Sequence, residues 1–259
     1  MGIANLAALL ACGLAMGLGA LGSGFGLGYA ARGGLRALAR QPSKHADIFR
    51  NMLVGQAITE TPAIFALVVS FLLFFSVDKA LETPYSLAQT SVFLAAGLCI
   101  GIGAIGSGIG SGLVAKEALE GMSRNPATQS QVLMLMLIGQ AWAQTGGIFA
   151  LVVSLFLMNV GGFASLSTPT DYMLWGVIPL SGGELVGAAR YLGSGIAMGF
   201  GAIGSSLGIA YVGGMACRSI SDVPEAGARI KTAYFIGSAT AQSPSVFSLI
   251  IALILLISG

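Results

Sequence analysis

The sequence predicts an all-α membrane protein in which six transmembrane helices form three tandem helical hairpins. Three observations carry this expectation. The first is composition: 55% of the 259 residues are hydrophobic and 8% charged, with mean hydropathy +0.87, against roughly 25% charged residues in soluble domains. The second is a set of apolar runs near residues 3–31, 52–77, 87–115, 132–160, 187–217 and 233–257. Each is long enough to cross about 30 Å of hydrocarbon at about 1.5 Å per residue. The third is an internal repeat. Pro42, Pro126 and Pro224 are spaced by 84 and then 98 residues, and so are Glu60, Gln144 and Gln242, and Phe65, Phe149 and Phe247.

The elements follow in order. Span one lacks a basic leading flank and recurs as spans three and five, so it is expected to be a retained helix and not a cleaved signal. It is dense in glycine, with Gly17, Gly19, Gly22, Gly24, Gly26 and Gly28, and span three repeats the set from Gly101 to Gly112. The G-x-G-x-x-G spacing inside these runs is not a dinucleotide fingerprint, which needs a preceding strand and turn. Small residues here let membrane helices approach closely. Because glycine at every second position covers more than one face, these helices are expected to crowd neighbours on both sides, as the inner wall of a tight ring requires. A polar turn at Pro42 leads into span two, and the repeat places the same turn at Pro126 and Pro224. The divisions are 1–80 for hairpin one, 81–163 for hairpin two, and 164–259 for a connecting insert plus hairpin three. Tyr172 and Trp175 in the insert are expected to anchor at the membrane interface.

Basic residues are unevenly distributed. Ten of the twelve Lys and Arg flank the first, third and fifth turns, leaving Lys79 and Arg190 on the other side. The positive-inside rule therefore puts those three turns in the cytoplasm and both termini opposite. A basic stripe for nucleic acid is absent. Cys12, Cys99 and Cys217 are isolated in or beside apolar spans, which suits small packing residues, and His45 is expected to be a solvated turn residue.

Glu60 is the chemically informative residue. It lies 18 residues from Pro42 and 18 from Asp78, about 27 Å of helix each way, near the bilayer centre. An ionised acid there costs several kcal/mol, so Glu60 is expected to be protonated, paired or cation-bound. Pro62 has no amide hydrogen and frees the carbonyl of Ile58 as an acceptor. Thr61 adds a hydroxyl, and Gln56 lies one turn back on the same face. Gln144 and Gln242 occupy the acid's position in the other two copies. An amide has no acidic proton, so these are read as inactive equivalents.

The order of glycine-rich helix, Arg40-Gln41-Pro42 turn and mid-membrane acid resembles the rotor-ring c subunit, or proteolipid, of F-type rotary ATPases. The resemblance covers nearly the whole chain as three fused hairpins, with Arg124-Asn125-Pro126 in copy two and the more divergent Asp222-Val223-Pro224 in copy three. It implies assembly into a homo-oligomeric ring embedded in lipid, a stator a subunit with an essential arginine, and central-stalk subunits docking on Arg40, Gln41 and Pro42. It also implies a cation carried on Glu60, with Ile58 and Thr61 as pocket groups. The transported ion is H⁺ or Na⁺. Sodium-binding members commonly carry a first-helix glutamine where Leu27 stands here, which favours the proton, and no cofactor is implied. One acid per three hairpins implies a low ion-to-ATP ratio suited to ATP-driven pumping. A six-span channel or transporter and a purely structural proteolipid are the alternatives. The first is expected to show broken spans and converging polar groups at the midplane.

Overall fold

The structure is a computed structural model and describes residues 3–79, 87–163 and 182–257. Tyr172 and Trp175 lie outside the described residues. The described residues are almost wholly helical and contain no strand. The described residues form seven α-helices: α1 (Ile3–Arg40), α2 (His45–Lys79), α3 (Leu87–Arg124), α4 (Gln129–Ala143), α5 (Thr145–Phe163), α6 (Gly182–Asp222) and α7 (Gly227–Ile257). Gln144 separates α4 from α5, yet the backbone bonds Gln144 N to Gln140 O at 3.2 Å and Ile148 N to Gln144 O at 3.0 Å keep them nearly continuous. Among the described residues this gives six helices long and apolar enough to cross a membrane, one of them formed by α4 and α5 together.

The first helix of each hairpin is longer than its apolar run. The first run ends near residue 31, but α1 continues through Arg32 and Arg36 to Arg40. Helix hydrogen bonding does not require apolar side chains, and the added turns satisfy their charges between hairpins: Arg36 Nη1 lies 3.2 Å from Glu120 Oε1. The polar turn is correspondingly tight. Gln41, Asn125 and Val223 adopt φ −132°, −137° and −135°, the extended backbone that a following proline imposes. Pro42, Pro126 and Pro224 each then open a three-residue 3₁₀ turn. Proline suits this first position, where an amide hydrogen would have no partner.

The glycine helices form one row. α3 packs between α1 and α6, while α2, α4–α5 and α7 line the outer side. The most apolar window of α3 is 72% buried, against 39% for α1 and 44% for α6, which makes it the central helix. The expected two-sided crowding is present at α3, while α1 and α6 each keep open glycine positions, among them Gly24, Gly28 and Gly204. A methyl group added at Gly108 would lie 2.6 Å from the backbone of Gly22 and Ser23 on α1, and one at Gly110 would lie 2.8 Å from the Ser206 carbonyl on α6. Cys99 and Cys217 are buried in the packing between these helices, and Cys12 is half-buried.

Each hairpin is pinned by a serine hydroxyl crossing between its helices. Ser70 Oγ lies 3.1 Å from the Cys12 carbonyl and Ser154 Oγ 3.0 Å from the Ala96 carbonyl, each hydroxyl sharing its one proton with a carbonyl of its own helix, Ala66 or Ala150, at 2.8 Å. In the third copy the partners exchange roles: Ser194 on the inner helix donates to the Ala252 carbonyl on the outer one at 2.9 Å. The link has survived a swap of donor and acceptor sides, as expected if an interhelical bond in hydrocarbon stabilises each hairpin.

Candidate functional site at the junctions between hairpins

Glu60 sits in the middle of α2 and is exposed in the isolated chain. It makes no hydrogen bond or ion pair among the described residues. Its own-hairpin neighbours do not close around it. Thr59 turns inward and donates to the Gly55 carbonyl at 2.7 Å, Gln56 is half-buried, and Thr61 forms no hydrogen bond among the described residues. Among the described residues no three acidic, histidine or cysteine side chains converge as a metal cluster.

The repeats explain this openness. Gln144 stands where Glu60 stands, one hairpin later, and is 6% exposed. Its amide Nε2 donates to the Ile58 carbonyl of hairpin one at 2.6 Å. That is the carbonyl released by Pro62, which lies inside the otherwise continuous helix α2. The sequence identifies this acceptor, but within the chain it serves Gln144 of the following hairpin. Gln242, the third equivalent, also faces backwards. Its Oε1 lies 2.8 Å from Thr145 Oγ1 of hairpin two, and its Nε2 donates to Ser245 Oγ at 2.7 Å. Thr145 Oγ1 is also 2.7 Å from the Trp142 carbonyl, so its single proton serves one of the two acceptors at a time.

The side chain at the acid position thus points at the preceding hairpin, Gln144 toward the carbonyl three residues before Thr61 and Gln242 toward the hydroxyl of Thr145. Two of these junctions are internal and closed by amides. Glu60 belongs to a third junction, on the outer edge of hairpin one, where no described residue stands opposite it as a hydrogen-bond or ion-pair partner.

A residue missed in the sequence supports the same geometry. Gln140, the counterpart of Gln56 one repeat on, is fully buried. Its Nε2 lies 2.8 Å from the Gly55 carbonyl, 3.1 Å from Thr59 Oγ1 and 3.3 Å from the Ser111 carbonyl, tying α4 to α2 and α3. Its place one repeat after Gln56 is the signal that could have found it. At the polar end, Arg40 and Pro42 are exposed and Gln41 half-buried, so the turn offers an accessible surface. His45 is exposed there too, as expected.

Comparison with known proteins agrees with the repeat. The family model describing the ATP synthase C subunit matches three times, at residues 10–73, 94–157 and 192–255, together most of the chain. The chain is similar to the ATP synthase c subunit of Dehalococcoides mccartyi, 50% identical over 72 residues, 28% of this chain and 95% of that one. It is also similar to the ATP synthase c subunit of Geotalea uraniireducens, 45% identical over 78 residues, 30% of this chain and 86% of that one. With the corresponding protein of Trichlorobacter lovleyi the identity is 46% over 69 residues, 27% of this chain and 76% of that one.

Proposed function

The chain belongs to the ATP synthase C-subunit family, three times over in one polypeptide, and from that premise we propose that it is a rotor-ring subunit carrying one cation per chain, on Glu60. The family membership makes it an integral, multi-pass rotor-ring component of a rotary ATPase. The reading of Glu60 rests on one observation: Gln144 and Gln242 both reach back to the preceding hairpin, whereas Glu60, at the same position, is exposed and makes no hydrogen bond or ion pair among the described residues.

A neighbouring copy then completes the pocket. At the position of Ile58 its third hairpin offers the Thr240 carbonyl, released by Pro244, and at the position of Thr61 it offers Ser243. Protonated Glu60 donates its O–H to that carbonyl as Gln144 donates its N–H to Ile58. Arriving at the stator a subunit, the acid gives up its proton and stands as a carboxylate opposite the stator arginine. It takes up a proton from the other side before returning to lipid, where the ionised form is too costly to persist. Gln144 and Gln242 pass the stator with no proton to exchange. One donor and one acceptor suffice for H⁺, and Leu27 supplies no further oxygen, so the proton is the favoured cargo over Na⁺. On this reading the turns bearing Arg40, Gln41 and Pro42 face the cytoplasm and meet the central stalk.

The acid count sets the gearing. With about four or five chains per ring and about three ATP per revolution, about one to two cations move per ATP, each gaining or losing about 2.3 kcal/mol per 100 mV. Such a machine collects little energy per ATP as a synthase but drives a steep gradient as a pump. The deciding experiment replaces Glu60 by Gln in the intact complex. Ion transport is expected to vanish while ring assembly persists. Retained transport at normal rate would remove Glu60 from the mechanism.

A further inference from the structure

The ends of the three glycine helices next to the polar turns carry charge at two positions that recur with the repeat. One is occupied by Arg36, Glu120 and Arg218, the other by Arg40, Arg124 and Asp222. Within the chain each junction uses one of these rungs. Hairpins one and two are joined at the first, with Arg36 Nη1 and Glu120 Oε1 3.2 Å apart. Hairpins two and three are joined at the second, with Arg124 Nη1 and Asp222 Oδ1 3.4 Å apart. Arg124 and Arg218 also approach the acids of their own helices, both at 3.9 Å. Arg40 has no ion-pair partner among the described residues and is exposed.

The two edges of the chain are also complementary in shape. Gly108 and Gly112 of α3 lie against the backbones of Gly22, Ser23 and Gly26 on α1. Their counterparts on α1, Gly24 and Gly28, have nothing within 4 Å of an added methyl group. On the opposite edge, α6 presents Gly204, Ser205 and Gly208 at the positions of Gly22, Ser23 and Gly26, and Gly204 is open as well. The glycine surfaces that close the junction between hairpins one and two are therefore repeated on the outer edges of hairpins one and three, whereas the junction between hairpins two and three sets Ser206 and Ala210 of α6 against Gly110.

We propose that hairpin three of one copy docks on hairpin one of a second copy of this chain, with Asp222 of the first paired to Arg40 of the second. This rests on the rotor-ring reading and adds what fixes the order of hairpins around the ring. A junction between two first hairpins would place arginine against arginine at both rungs, with no acid between them. Hairpin three against hairpin one places Asp222 opposite Arg40 and Arg218 opposite Arg36, so every junction holds at least one opposite-charge rung, with one arginine pair tolerated here as at Arg40 and Arg124 between hairpins one and two. Such a head-to-tail contact is heterologous and closes when its rotation divides a full turn. Its charges act chiefly by rejecting wrong neighbours. The outer helices supply a second register mark. Gln131 Oε1 lies 3.4 Å from where a side chain at Gly227 would begin. The same step across the free edge puts Arg229 of one copy beside His45 of the next.

Disulfide trapping in the full chain, assembled in its membrane and lacking Cys12, Cys99 and Cys217, tests this. Arg40→Cys with Asp222→Cys is expected to give, on oxidation, a ladder of covalent multimers of the whole chain. Either change alone is expected to give none. Arg229→Cys with His45→Cys is expected to give the same ladder without disturbing the Arg124–Asp222 pair, which guards against a folding defect in the first variant. An intact ring without either ladder, multimers from Arg40→Cys alone, or adducts with a smaller proteolipid would each overturn the proposed junction. Failure to find any ring would instead overturn the rotor reading on which it stands.

Discussion

Restoring an acid at Gln144 should change the gearing of the machine. Gln144 Nε2 donates to the Ile58 carbonyl at 2.6 Å, and the O–H of a protonated carboxyl reaches the same acceptor from nearly the same atom position. In its neutral form Gln144→Glu is therefore expected to leave the junction closed. The ionised form would set a carboxylate against a carbonyl oxygen in hydrocarbon, so it should exist only opposite the stator, as proposed for Glu60. Each chain then carries two exchangeable acids where it had one. Each charge works against about 2.3 kcal/mol per 100 mV. At a fixed ATP free energy, twice the charge per revolution supports about half the limiting voltage. The assay uses the reconstituted complex in sealed vesicles at a clamped ATP to ADP ratio, with the steady potential read by a voltage-sensitive dye. Carbodiimide labelling counts reactive acids per chain. Two labelled acids with an unchanged limiting voltage would refute the reasoning, because the introduced carboxyl would then ride past the stator without exchanging.

Two predictions concern what holds the hairpins together. Gln140→Leu removes the amide that ties Gly55, Thr59 and Ser111 into one junction; a loss of about 1 to 3 kcal/mol is expected. It is read as a shifted midpoint in a detergent unfolding titration, and a loss below about 0.5 kcal/mol would count against Gln140 as the fastener. Gly108→Ala drives a methyl group into the α1 backbone and should cost the single chain about 1 to 3 kcal/mol in the same titration. Gly24→Ala, at the equivalent but open position, should leave the single chain unchanged while lowering the yield of assembled ring.

The features legible in the sequence are those fixed by periodicity and composition. Six spans, three copies and close glycine packing all follow from patterns repeated at fixed offsets. The freed Ile58 carbonyl is legible too, because the missing amide hydrogen of Pro62 is a local covalent fact. What is not legible depends on how each helix is rotated about its axis. Nothing in the one-dimensional pattern says that Gln144 turns toward hairpin one or that Gln242 reaches Thr145. Those directions follow from packing α3 between α1 and α6, which sets the outer helices. The extension of α1 to Arg40 is hidden for a related reason: its charges are satisfied by Glu120, a residue 84 positions away from Arg36.

The geometry also bears on why the silent positions hold glutamine and not leucine. Leucine would fill the volume, carry no charge and pass the stator as passively. It would, however, leave the Ile58 carbonyl without a donor in hydrocarbon, where a freed backbone acceptor costs free energy. The amide of Gln144 supplies an N–H where a protonated acid would supply an O–H, so it reproduces the resting state of the site and cannot leave it. The third copy shows the same constraint by different means, since Gln242 is held by Thr145 and Ser245. An amide is thus the substitution that silences exchange while keeping the junction's hydrogen bonds. On this argument Gln144→Leu should loosen the contact between hairpins one and two, seen as faster amide hydrogen exchange around Ile58, Thr59 and Thr61, and Gln144→Glu should not. Equal exchange in both variants would mean that packing alone closes the junction.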